Sequence, residues 1–174
     1  MKHDFLTDDE LKFLSNNIAD VVELFKEAHI EVKVELQYMC NTIRHKILDN
    51  NNSYKKILLQ PETAYNDGYC FYFARIIKTI FPDSNFIVIQ DDYELIDHIA
   101  LEYNGELIDI NFNDEEKPFD LSNAKYANIE DLSYANNMFH SMNNEIYEKL
   151  KYKFLRNIKS YLNKNFYKKK SLKI

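Results

Sequence analysis

Asn104-Gly105 lies between two stretches rich in alternating apolar residues, HIALEY and ELIDINF, and this dipeptide most constrains the fold. Asn-Gly accepts the left-handed backbone that a two-residue hairpin turn requires, so the flanking stretches become antiparallel strands with a fixed register. Tyr103 then pairs with Glu106, Glu102 with Leu107, Ala100 with Asp109 and His98 with Asn111. Paired residues share a face. One face carries Ile99, Leu101, Tyr103, Ile108, Ile110 and Phe112, which reads as buried. The other carries His98, Ala100, Glu102, Leu107, Asp109 and Asn111. On that second face Asn111 is opposite His98, and Asp109 is diagonal to it at about 7 Å, within reach of an imidazole–carboxylate bond. The plainer reading of the same face is the solvated side of a half-buried hairpin.

The remaining elements follow from periodicity and punctuation. Thr7-Asp8-Asp9-Glu10 is a capping box, and the spacing of Leu11, Leu14, Ile18, Val21, Val22 and Phe25 predicts a helix to about Lys26. A second helix is expected on Leu36, Met39, Cys40, Ile43 and Ile47. A third begins at Cys70 with Phe73, Ile76, Ile77 and Ile80 on one face, and Pro82 ends the run. Phe86-Ile-Val-Ile reads as a strand. Helices are predicted from Leu121 to about Ala135 and from Asn143 to about Phe166, the latter with Ile146, Leu150, Phe154, Ile158, Tyr161 and Leu162 on one face. The 174 residues are expected to form one α+β domain: an N-terminal helical part (1–66), a Cys-helix with antiparallel strands (67–113) and C-terminal helices (121–168).

Charge and composition exclude several function classes. A net charge of -6 disfavours nucleic-acid binding, which draws on an excess of Lys and Arg. The one basic cluster, Lys168 to Lys170 with Lys173, sits where it complements the last helix's dipole. No apolar run is long enough to span a bilayer, and MKHDFLTDDE lacks the core of a signal peptide, so no membrane association and a cytoplasmic location are expected. Two glycines do not make a phosphate loop, and two cysteines do not make a disulfide framework. Both cysteines are then thiols.

Cys40, on the apolar side of a predicted helix, reads as core. Cys70 differs, because it stands two positions after Gly68 at the start of its helix. Alone it is either a reactive thiol or a packed apolar residue. A helix N-terminus and a neighbouring imidazolium both stabilise a thiolate, and His98 opens a later strand. A carboxylate or amide on the far ring nitrogen would fix its tautomer. His45 is off the helical neighbour spacing from Cys40, so no metal pair is expected there. Asp109 to Asp120 places oxygen ligands as a calcium loop does, but Asp114 stands where a glycine makes the turn. No metal or cofactor is expected.

GYCFYFARIIKTIF followed by HIALEYNGELIDI resembles the core of the papain-like and transglutaminase-like cysteine hydrolase superfamily over residues 68–110. The shared features are Gly-x-Cys at the head of an amphipathic helix, a His opening a later strand, and an Asp on the strand after the Asn-Gly turn. The resemblance implies a nucleophile helix packed on a small antiparallel sheet, with extra helices at both ends. It implies Cys70 as nucleophile, His98 as base and Asp109 as orienter, with Asn111 as substitute orienter. The Cys70 N–H would be one oxyanion donor, with Gln60 and Asn66 as candidates for the second. The expected function is hydrolysis or acyl transfer at an amide, isopeptide or ester bond of a protein or peptide substrate. The alternative is a non-catalytic interaction or inhibitor protein on the same fold, acting through its acidic surface or the C-terminal helix. That helix could also join two copies of the chain.

Overall fold

Thr7 caps the first helix as the sequence predicts. Its Oγ1 accepts from the Glu10 N–H at 3.2 Å, and Glu10 Oε2 accepts from the Thr7 N–H at 2.8 Å. The structure, a computed structural model, describes residues 5–38, 55–128, 130–133 and 142–173. The predicted helix to Lys26 is in fact two, α1 (Asp8–Ser15) and α2 (Ile18–Glu31). Asn17 makes the break: its side-chain Nδ2 donates to the Phe13 carbonyl at 2.7 Å, the acceptor its own N–H would use in a continuous helix.

Leu36, expected on a helix, instead lies on strand β1 (Glu35–Tyr38), which pairs antiparallel with β2 (Lys55–Leu58). The rest of that predicted helix, with Met39, Cys40, Ile43 and Ile47, lies outside the described residues. Helix α3 (Pro61–Asn66) starts on proline, whose missing N–H is not needed in the first turn. Helix α4 (Cys70–Lys78) follows, burying Cys70, Tyr72, Phe73, Ala74, Ile76 and Ile77.

Strands β3 (Asn85–Gln90), β4 (Ile96–Tyr103), β5 (Glu106–Ile108) and β6 (Ala124–Tyr126) form an antiparallel sheet in the order β5-β4-β3-β6. Asn104-Gly105 makes the two-residue turn, with positive φ at both positions, and the first pairs are those expected: Tyr103 with Glu106 and Glu102 with Leu107. The ladder stops at Leu101 with Ile108, so the Ala100–Asp109 and His98–Asn111 pairs do not form. Asp109 ends the strand itself: its Oδ1 accepts the Asn111 N–H at 2.9 Å, an Asx turn that competes with the ladder. The helix expected from Leu121 to about Ala135 is corrected over its first part, while residues 130–133 are helical and 134–135 lie outside the described residues. Residues Leu121–Asn123 form a single tight turn and Ala124–Tyr126 become β6, because the otherwise unpaired edge of β3 takes them as its neighbour.

Helix α5 (Asn144–Leu162) is capped by Asn143, buries Tyr147, Leu150, Phe154, Ile158 and Leu162, and packs on α2. A wide turn (Asn163–Tyr167) leads into α6 (Lys168–Ser171). The architecture is α+β: helices around a small antiparallel sheet, with α4 packed on β4. Phe25 of α2 joins the layers, meeting Tyr65, Phe73 and Phe154 edge-on at 4.9, 4.8 and 5.8 Å between ring centroids. Among the described residues, no helix is long and apolar enough to cross a membrane.

A Cβ added at Gly105 would meet nothing within 4 Å, so substitution there is penalised only through its φ of +83°. Gly105→Ala is expected to cost about 1 kcal/mol, read as a lower urea midpoint at unchanged slope. An unchanged midpoint would mean that the turn is not under this constraint.

Candidate active site

Gly68 is what allows a cysteine to open α4. Its φ of +107° is the left-handed conformation that terminates α3, and the Tyr69 N–H reaches back to the Ala64 carbonyl at 3.2 Å. The chain reverses there and α4 begins at Cys70, with Tyr69 at the N-cap and no side chain capping the first turn. Cys70 is a free thiol and only 2% exposed.

His98 enters from β4. The β3–β4 register shifts at Ile89/Gln90, where Ile89 pairs with His98 but Gln90 pairs with Ile96, leaving Asp97 as a bulge directly before the histidine. Such bulges raise local twist and redirect the neighbouring side chain. The solvated-face reading fails here, because His98 is 1% exposed and Ala100 is buried as well. His98 Nε2–H donates to Asp109 Oδ2 at 2.9 Å. A carboxylate only accepts, so the bond places a proton on Nε2. The other ring nitrogen, Nδ1, is buried without a hydrogen-bond partner among the described residues.

The electrostatics follow from this placement. Burial pushes His98 down, but the Asp109 hydrogen bond, the nearby Cys70 and the Asp109 charge outweigh it, raising His98 from its ordinary 6.5 to about 9. Burial pushes Asp109 up, yet the bonds and charge of His98 and the two bonds from Asn111 hold it below its ordinary 3.8. His29 makes a useful contrast. It is also buried, but Nε2 meets the Leu59 carbonyl at 2.7 Å and Nδ1 meets the Tyr65 hydroxyl at 3.0 Å. Its pKa is lowered, chiefly by burial, and both nitrogens are occupied. It ties α2 to the segment before α3.

Asn111 is buried and turned toward Asp109 rather than the imidazole. Its Nδ2 donates to Asp109 Oδ2 at 3.2 Å and to Asn66 Oδ1 at 2.8 Å, while its Oδ1 accepts from Asn66 Nδ2 at 2.8 Å. Asn66 thus commits its amide to Asn111, linking the end of α3 to the carboxylate that holds His98. Gln60 is exposed at the N-cap of α3 and lines a shallow groove with His29, Lys33 and Leu59. The geometry therefore joins Cys70, His98, Asp109, Asn111 and Asn66 in one connected set, with Gln60 lining a separate groove. Asp109 is not free for a calcium loop, and the Lys117 ammonium donates to the Asn111 and Phe112 carbonyls inside that segment. Among the described residues, no three His, Cys, Asp or Glu side chains are grouped to hold a metal.

Phe119 is the residue that sequence reasoning missed. Its ring stacks flat on the His98 imidazole, with centroids 3.9 Å apart and planes 7° from parallel. The one sequence signal was an aromatic after Pro118 in an otherwise charged stretch, DEEKPFD.

The raised His98 pKa makes a signed prediction. Its contribution to stability is full below about pH 6.5 and is lost as pH rises through about 9. In Asp109→Asn, burial acts on His98 without the carboxylate. The stability advantage of wild type over Asp109→Asn should therefore narrow between about pH 6.5 and about pH 9 in urea unfolding. A difference that stays flat or widens would contradict the pairing.

Comparison with family models, with curated proteins and with solved structures returned no match.

Proposed function

We infer that the protein is a thiol-dependent hydrolase or acyltransferase acting on an amide, isopeptide or ester bond. One observation carries this reading: His98 is buried and tied through Nε2 to Asp109, while its Nδ1 has no hydrogen-bond partner and Cys70 lies close enough to act on the ring's charge. A structural histidine satisfies both nitrogens, as His29 does. Leaving one bare inside a core costs stability, and an atom used for proton transfer is a reason for a fold to carry that cost.

In the proposed reaction Cys70 sulfur, as thiolate, attacks the carbonyl carbon and forms a tetrahedral oxyanion. The Cys70 N–H, in a first turn of α4 that no side chain caps, would donate to that oxygen. The C–N or C–O bond then breaks, and the departing amine or alcohol takes the proton from His98 Nδ1. A water or amine attacks the resulting thioester and gives its proton back to His98, and the thiolate leaves. Asp109 retains its charge throughout and holds the ring by Nε2. The order of elements, with the nucleophile helix first, the histidine strand next and the carboxylate after a hairpin turn, supports a papain-like or transglutaminase-like core. A protein or peptide substrate fits this chemistry.

The test is the rate of Cys70 alkylation by iodoacetamide against pH, resolved by peptide mapping and normalised to each variant's plateau. Wild type should hold most of its plateau rate at about pH 6.5, whereas His98→Ala should fall to roughly a hundredth of its own plateau there. Ordinary thiol behaviour in both proteins would sink the proposal.

A further inference from the structure

With Cys70 at 2% and His98 at 1% exposure, a carbonyl cannot reach either group in this conformation. The segment over the imidazole is residues 112–120, and Phe119 is its contact with the ring. Phe119 is half-buried and stands apart from the main apolar cluster, against which Phe112 packs. The backbone of residues 115–119 makes no hydrogen bond to any other described residue. One side-chain clamp holds it: Lys117 Nζ donates to the Asn111 carbonyl at 2.6 Å and the Phe112 carbonyl at 3.0 Å. Both ends are anchored. Asn113 Nδ2 donates to the Ala19 carbonyl at 3.1 Å and to Glu23 Oε1 at 2.8 Å, and beyond Asp120 the chain runs into β6, which pairs with β3.

A segment fixed at both ends, without backbone bonds between them, is the part of a fold that opens at least cost. Its closed position rests on one ring stack and one clamp. We propose that residues 112–120 are a gate over Cys70 and His98, closed by Phe119 on the imidazole face and opened when Phe119 leaves it to admit substrate. The proposal rests on the reading of Cys70 and His98 as the reacting pair, and it adds that access to them is regulated by this segment. Lys117 is the latch, because its ammonium bonds carbonyls at the hinge and touches no reacting atom.

The experiment uses the full chain, with plateau rates of Cys70 alkylation by iodoacetamide measured by peptide mapping in wild type, Phe119→Ala and Lys117→Gln. Each substitution should raise the plateau rate at least about tenfold, without moving the pH midpoint. Unchanged plateau rates overturn the gate. So does a moved midpoint at an unchanged plateau, which would make Phe119 a positioning residue for His98. A wild-type plateau already equal to that of an unhindered peptide thiol also overturns it. Should Phe119→Ala not fold, Lys117→Gln decides, because its side chain is exposed and its loss opens no cavity. Failure of the reacting pair would instead show in the pH midpoints of wild type and His98→Ala, so the two failures are separable.

Discussion

An imidazole 1% exposed and held toward its charged form is tolerable only beside an anion, and the 2.9 Å bond from His98 Nε2 to Asp109 supplies it. Much of the local structure serves that bond. The Asn104-Gly105 turn sets the register that brings β5 back along β4. The bulge at Asp97 redirects His98. Asp109 uses its second oxygen to turn the chain at Asn111, and the Asn111 amide closes on Asn66 at the end of α3. Two residues beyond Asn66, Gly68 reverses the chain and delivers Cys70. The histidine and the cysteine are thus connected through backbone and amides as well as through space.

The two buried histidines show how environment sets role. His29 meets a carbonyl and a hydroxyl, has no carboxylate bonded to it, and its pKa falls. His98 meets a carboxylate, keeps one nitrogen unpartnered, and its pKa rises to about 9. Residue type and burial are nearly the same in both. The difference lies in the Asp109 carboxylate and the neighbouring Cys70, and with them the difference between a structural tie and a group able to move a proton.

The hairpin, its turn type, the capping box of α1 and helix α4 were legible because each depends on local chemistry: an Asn-Gly pair, a Thr and a Glu three apart, a helical apolar stripe. Asp109 does meet His98, but from beyond the end of the ladder and not across it. What was not legible depended on competition. Asn17 takes a carbonyl that α-helix continuation needed. Asp109 captures the Asn111 N–H and ends the ladder at Leu101–Ile108, three pairs short of the His98–Asn111 pairing that alternation implies. Ala124–Tyr126 has helical neighbours in sequence but is claimed by the edge of β3, an interaction between segments more than thirty positions apart. Phe119 was hidden for the same reason, since nothing near it in sequence announces an imidazole.

The most direct test of the account is the ¹⁵N nuclear magnetic resonance of the His98 ring at neutral pH. An imidazolium is expected there, with Nε2–H bonded to Asp109 and the second proton on Nδ1. A neutral ring protonated at Nδ1 alone, with Nε2 bare, would contradict it, because Asp109 could then neither hold the ring nor stabilise its charge.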